Sequence, residues 1–250
     1  MSRTVLFSDV HLKVGDAARP ARGEFIRFLR DAGTEGCDRL ICLGDLFDFW
    51  FEYRHVCFSG YHDVLRAFSD LHDAGVELHL FCGNHDFWAG RFLRDEIGFV
   101  IHPDEARLPF GERRVLMFHG DGVNPEDRAY RAYKKVARNP WVVGAFRLLH
   151  PDWAMTLAQG VSHGSRSLTR VENPSEGPEA AALRAHARAL IEAGLADTVV
   201  CGHAHAPALE WMNTQSGLGL YINTGDWMRH RTYVTWDGTD FEMGEYGQSQ

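Results

Sequence analysis

The sequence has no Cys-x-x-Cys pair, and its five cysteines, Cys37, Cys42, Cys57, Cys82 and Cys201, fit none of the spacings of a zinc cage. Thiolate metal chemistry is thereby excluded, and a reducing, cytoplasmic setting is expected. No apolar run approaches the roughly 18 residues of a membrane-spanning helix, so the chain is expected not to cross a bilayer. The apolar run near Met1 is cut by Ser8 and Asp9, too early for a secretory signal, and the chain is expected to begin at its own N-terminus. Basic charge is short as well. Lys and Arg total 26 against 34 Asp and Glu, a net charge of −8, which argues against nucleic acid as a partner because phosphate contacts need a neutralising basic face. Repeats and low-complexity tracts are missing, and with them collagen, coiled coil and disorder.

What remains is 250 residues of ordinary globular composition, 45% apolar, a length that one large α/β or all-β core can organise. The entry that points to chemistry is histidine, with 14 residues. Short apolar runs rich in β-branched and aromatic residues predict strands at Thr4 to Phe7, Arg39 to Leu43, Glu77 to Phe81, Arg114 to Phe118 and Thr198 to Cys201. Between them, Phe25, Phe28 and Leu29 recur at helical spacing up to Gly33, and Tyr61, Val64, Leu65, Phe68 and Leu71 up to Gly75. These are β-α-β units. Leu220 to Ile222, Thr232 to Trp236 and Phe241 to Met243 read as strands without intervening helices, with an Asp237-Gly238 turn. The pattern fits a mixed sheet or two sheets stacked between helices. No strand is evident from Asp121 to Thr198. Residues 124–171 read as a helical cap or insertion on a single domain spanning 1–250, since so short a segment rarely buries enough surface alone.

Each of the first five strands runs into a polar cluster: Asp9-Val10-His11, Gly44-Asp45-Leu46-Phe47-Asp48, Gly83-Asn84-His85-Asp86, His119-Gly120-Asp121 and Gly202-His203-Ala204-His205. Ligands bind beyond the carboxyl ends of strands in an open α/β sheet, so the clusters are expected to converge. Together they offer carboxylates, imidazoles and one amide, a donor set for divalent ions of hard to borderline character. The i, i+2 spacing of Asp9 and His11, and of His203 and His205, predicts two side chains on one face of an extended strand. The glycines at 44, 83 and 202 let the backbone turn and approach closely. Should two ions sit ~4 Å apart, one carboxylate must bridge them, and Asp45 at a central strand end suits that place.

The order D-x-H, G-D-x-x-D, G-N-H-D, H and G-H-x-H resembles the signature of the calcineurin-like metallophosphoesterases, from about Thr4 to Trp236. The resemblance implies an α/β fold of four layers, an α-β-β-α sandwich, and a dinuclear site loaded with Mn2+ or a similar ion (Fe, Co or Zn). It assigns Asp9, His11, Asp45 and His205 to one metal and Asp45, Asn84, His119 and His203 to the other. His85, outside that set, suits transition-state stabilisation or protonation of the leaving oxygen, with Asp48 holding its other ring nitrogen.

The cap speaks to the substrate. From Arg128 to Arg147 the charged residues are all cationic, namely Arg128, Arg131, Lys134, Lys135, Arg138 and Arg147. They are interleaved with Tyr130, Tyr133, Trp141, Val142, Val143 and Phe146, and Leu148 and Leu149 follow. Such a face suits an anionic amphiphile and contact with an anionic membrane; the plainer reading is core packing and a solvated charged face. His119-Gly120-Asp121, Asp127, Tyr130, Asn139-Pro140-Trp141 and Thr224-Gly225-Asp226-Trp227 resemble the UDP-2,3-diacylglucosamine hydrolases of lipid A biosynthesis. Those enzymes cleave a UDP-linked glycolipid to UMP and 2,3-diacylglucosamine 1-phosphate, though many of them carry Arg where this chain has His85. The likeness implies that Asn84, Asp127, Tyr130, Lys134, Arg138 and Arg166 contact the substrate and that the cap takes acyl chains, at the inner face of the cytoplasmic membrane. Two alternatives stand beside it. One is a metallophosphoesterase for soluble nucleotides or phosphoproteins, for which Trp141, Phe146 and Leu149 would pack inward. The other is a scaffold without turnover.

Overall fold

The computed structural model of the chain describes residues 3–156, 175 and 177–247. Four parallel strands form the middle and one flank of a six-stranded sheet: β1 (Thr4–Phe7), β2 (Arg39–Cys42), β3 (Glu77–Phe81) and β4 (Phe99–His102). They are joined by α1 (Arg19–Thr34), α2 (His62–Asp73) and the short α3 (Arg91–Asp95). α1 begins with Pro20 in its first turn and buries Phe25, Ile26, Phe28, Leu29 and Ala32 at helical spacing. α2 buries Val64, Leu65, Phe68 and Leu71 in the same way.

A second sheet of five strands has the order β5 (Ala106–Phe110), β6 (Arg113–Met117), β7 (Thr198–Cys201), β9 (Gly217–Asn223) and β8 (Ala208–Thr214). Between β6 and β7 lie α4 (Arg128–Ala137), α5 (Pro140–Phe146), a helical turn over 151–156 and α6 (Pro178–Glu192). The chain then returns to the first sheet as β10 (Thr232–Trp236), antiparallel to β1, and β11 (Phe241–Glu245).

Alternation along the strands decides the layers. Leu6, Ile41, Phe81, Met117, Val200 and Ile222 face one another between the sheets. Val5, Phe7, Leu40 and Leu80 pack outward on α1 and α2, while Leu116, Val199 and Tyr221 pack on Leu183, Ala187 and Ile191 of α6. The result is an α-β-β-α sandwich. Phe25 is fully buried, its ring 5.4 Å from Phe7 and 5.2 Å from Trp227. Truncating such a ring costs about 3–5 kcal/mol, and the loss would reach the site, because the Trp227 N–H donates to the Asp9 carbonyl at 3.2 Å.

Candidate metal centre

β1, β2 and β3 in one sheet and β6, β7 and β9 in the other deliver their carboxyl ends to one crevice, as an open α/β arrangement requires. There the backbone leaves the extended conformation. Asp9 (φ 53°), His11 (48°), Asp45 (53°), His203 (66°) and His205 (52°) account for five of the six non-glycine residues with positive φ among those described. Such conformations are disfavoured for residues with a Cβ and gather where surrounding structure holds them for function. This corrects the expected geometry of the two i, i+2 pairs. They do converge, through left-handed turns beyond the strands and not through the pleat of an extended strand. Glycine is required at two neighbouring points of close approach: a Cβ at Gly44 (φ 98°) would strike the His119 ring, and one at Gly83 the Asp45 carboxylate.

Asp45 lies at the centre. Its Oδ2 is 3.5 Å from His119 Nε2, 3.7 Å from His11 Nε2 and 4.0 Å from His85 Nε2. His119 Nε2 is in turn 3.3 Å from the Asn84 amide oxygen, and the His119 and His203 rings are 5.1 Å apart. On the other side, Asp9 Oδ1 is 3.4 Å from His205 Nε2, which is 3.4 Å from His11 Nε2. All seven expected ligand residues are therefore neighbours. Burial raises the Asp45 carboxyl, but the imidazoles of His119 and His85 outweigh it and hold the group well below the usual carboxylate range. Burial lowers His119, but Asp45 outweighs it and lifts the imidazole to about 10. His203, buried beside His119, is pushed down to about 3, and burial raises Asp9 against the pull of His205.

These residues fit divalent cations. Asp9 Oδ1 is buried without a hydrogen-bond partner, a costly state for a carboxylate oxygen that a cation would relieve. Ligand atoms of Asp9, His11 and His205, and again of Asp9, Asp45 and His119, all lie within 4.8 Å of one another. The positive charge that Asp45 draws onto the His119 ring as a proton is what a divalent ion would supply instead.

His85 stands at the rim, its ring 4.7 Å from that of His11. Its Nδ1 lies 2.8 Å from the main-chain carbonyl of Asp48, whereas the Asp48 carboxylate lies 4.0 Å from His11 Nδ1. The expectation that the Asp48 side chain orients His85 is corrected accordingly, because the loop 45–50 offers its carbonyl first. Two buried carboxylates had no assigned role from sequence. Asp86 accepts from the N–H groups of Gly83 (2.8 Å), Leu46 (2.7 Å) and Asp45 (3.3 Å), pinning two ligand loops together; burial and the nearby Asp45 raise it to about 6. Asp226, on the loop after β9, lies 3.9 Å from His205 Nδ1. Both stand inside quoted motifs, Gly83-Asn84-His85-Asp86 and Thr224-Gly225-Asp226-Trp227, but nothing in those motifs states what their carboxylates hold.

Of the expected substrate contacts, Asp127 caps α4 by accepting from the Tyr130 N–H at 2.9 Å, and the Tyr130 hydroxyl donates to Asp121 at 2.6 Å. Lys134 pairs with the same Asp121 carboxylate at 2.6 Å, and Arg138 with Asp104 at 2.7 Å. Arg166 lies outside the described residues, as does the rest of the expected cap from 157 to 171. A cavity of about 190 Å³ runs from His119 to Lys134, Arg138 and His186. A second, of about 390 Å³, lies among Arg131, Lys134, Lys135 and Arg138.

Residues 2–207 match the family described as calcineurin-like phosphoesterase. The chain belongs to that family. A calcineurin-like phosphoesterase is a metal-dependent hydrolase, and the crevice supplies the cluster that such chemistry needs. Among curated relatives, the UDP-2,3-diacylglucosamine hydrolase of Porphyromonas gingivalis is 31% identical over 213 residues, covering 79% of each chain. That of Edwardsiella ictaluri is 27% identical, covering 97% of this chain and 91% of its own. Among solved structures, the phosphoesterase Yfce from E. coli aligns with a TM-score of 0.45 at 16% identity, over 94% of this chain and 88% of that one.

Proposed function

We propose that this phosphoesterase hydrolyses the diphosphate of UDP-2,3-diacylglucosamine, giving UMP and 2,3-diacylglucosamine 1-phosphate in lipid A biosynthesis. The observation that carries this reading is the exposed apolar and cationic surface of residues 128–153 beside the Asp and His cluster. Trp141 is 87% exposed, Leu148 88% and Trp153 72%, while Lys134 and Arg138 reach toward the crevice from the same segment. The names of the curated relatives support the substrate. The alternative, a soluble nucleotide or phosphoprotein, called for Trp141, Phe146 and Leu149 to pack inward. Only Phe146 does so firmly, with its ring 4.7 Å from Phe51 and 4.9 Å from Trp88.

We assign two divalent ions, manganese by preference, to Asp9, His11, Asp45 and His205 and to Asp45, Asn84, His119 and His203. Bound there, such ions neutralise phosphate oxygens and lower the pKa of water. The chain's own groups do the rest. Lys134, Arg131 and Lys135 line the cavity that would take the second phosphate of a diphosphate, a cationic surface that a monoester would leave unused. His85 Nε2 faces the crevice with its Nδ1 hydrogen-bonded to a carbonyl, which keeps one ring nitrogen directed at the reacting phosphate to donate a proton or stabilise charge. Residues 124–171 would act as the cap over the acyl chains. With Arg128, Arg131, Lys135 and Arg147 at its surface, the cap would lie against an anionic membrane.

The test is mass-spectrometric product analysis of the manganese-loaded protein with UDP-2,3-diacylglucosamine in detergent, beside a panel of soluble nucleotides. UMP and the lipid monophosphate, formed in preference to products from the panel, are expected. Turnover confined to soluble nucleotides would overturn the lipid assignment and leave the phosphoesterase centre standing.

A further inference from the structure

The ring nitrogens of the crevice histidines that point away from the cluster do not all meet the same kind of acceptor. His119 Nδ1 lies 2.7 Å from the Leu43 carbonyl, and His85 Nδ1 lies 2.8 Å from the Asp48 carbonyl, both neutral main-chain oxygens. His11 Nδ1 lies 4.0 Å from the Asp48 carboxylate, and His205 also faces a carboxylate. Its Nε2 faces Asp9 and His11, and its Nδ1 faces Oδ2 of Asp226 at 3.9 Å.

Asp226 is fully buried, and its surroundings fix where its carboxylate sits. Oδ1 accepts from the Arg229 N–H at 2.6 Å, and Oδ2 is 2.7 Å from His230 Nδ1. The loop is tied to the strand that carries Asp9, through Trp227 N–H to the Asp9 carbonyl at 3.2 Å and Thr224 Oγ1 to Ser8 Oγ at 2.7 Å. Thr232 Oγ1 closes it by donating to the Thr224 carbonyl at 2.7 Å. A buried carboxylate held this firmly is costly unless it has a charged or strongly polar partner. Two imidazoles face it, and one of them belongs to the metal cluster.

We propose that Asp226 is a positioning residue for His205: its carboxylate, 3.9 Å from Nδ1, favours the ring form that carries its hydrogen there, leaves Nε2 as the ligand atom, and is itself held in place by His230. An imidazole that ligates through one nitrogen carries its proton on the other, and a carboxylate acceptor makes it a better donor to the metal than a carbonyl does. The two halves of the centre thus differ. The half containing His205, His11 and Asp9 is braced by a fully buried carboxylate, whereas in the other half His119 rests on the neutral Leu43 carbonyl and His203 faces the half-buried Glu179 carboxylate at 3.8 Å. This rests on the metal-centre reading above and is independent of the substrate. Asp226 is buried between them, while the His205 and His230 side chains are 28% and 39% exposed.

The test is stepwise Mn2+ titration of the full chain, followed by the electron paramagnetic resonance signal of free Mn2+, for wild type, Asp226→Asn, Asp226→Ala and His230→Gln. The expected result is a loss of about 10- to 100-fold in affinity at one site in the Asp226 variants, with the second site unchanged and a smaller loss at the same site in His230→Gln. In the Zn2+-loaded protein, the downfield proton resonance of His205 Nδ1–H is expected to shift in Asp226→Asn. Unchanged affinity in Asp226→Asn would overturn the proposal. Should the Asp226 variants fail to fold, His230→Gln decides it, with wild-type affinity counting against. A wild type that binds a single ion would defeat the dinuclear reading, and the same comparison at that one site would still decide the role of Asp226.

Discussion

Three imidazoles within 4.0 Å of one oxygen of Asp45 make it the residue on which the centre depends. Asp45→Ala is expected to abolish manganese-dependent hydrolysis of bis(p-nitrophenyl) phosphate while circular dichroism shows a folded chain; a folded variant of unchanged activity would contradict the bridging role. His85→Ala is expected to lose about 100-fold or more in rate while retaining both ions by elemental analysis. Loss of an ion would make His85 a ligand instead. The residues of the cluster were legible in the sequence because each sits just after an apolar run, where a strand ends in the crevice. Their left-handed backbone was not, since nothing about Asp9 or His203 as residue types announces a positive φ. Nor were the roles of Asp86 and Asp226, which exist only because distant loops meet.

α4 and α5 are clamped to the core by few groups: Trp88 Nε1–H to the Ala137 carbonyl at 3.1 Å, Arg138 to Asp104, Lys134 to Asp121, and Phe146 among Phe49, Phe51 and Trp88. Tyr130 is half-buried on Asp121 and Ala137 is buried, while Tyr133, Val136, Trp141, Val142, Leu148 and Leu149 are exposed. Substituting Trp141, Leu148 and Trp153 together by Ser is expected to lower kcat/KM about tenfold on the lipid substrate in anionic vesicles and to leave hydrolysis of the soluble ester unchanged. An equal loss on both substrates would return these residues to a structural role. α1 and α2 were readable from spacing, as were eight strands, but α3 and α6 were not placed. β4, β5 and β8 were not. β4 is four residues between Gly98 and Pro103, β5 contains Pro109, and β8 is an edge strand whose mixed polarity follows its one-sided burial.

At the scale of the molecule, sandwiching two sheets brings six strand ends into one crevice, and elsewhere it pairs the buried His79 with the half-buried His102. His79 Nδ1 lies 2.9 Å from His102 Nε2 with the rings stacked; burial lowers both, His102 to about 4. In the unfolded chain both titrate near 6.5. Between about pH 6.5 and 4 the unfolded state binds more protons, so the pair's contribution to stability is present above that window and lost as pH falls through it. The melting temperature of the metal-free protein is expected to fall less steeply from pH 7 to 5 in His102→Phe than in wild type, and identical slopes would contradict this. The most direct measurement of the central claim is anomalous diffraction at the manganese edge from crystals of the loaded protein. Two peaks about 3.5–4 Å apart, flanking the Asp45 carboxylate, are the result expected. A single peak, or peaks away from Asp45, would contradict it.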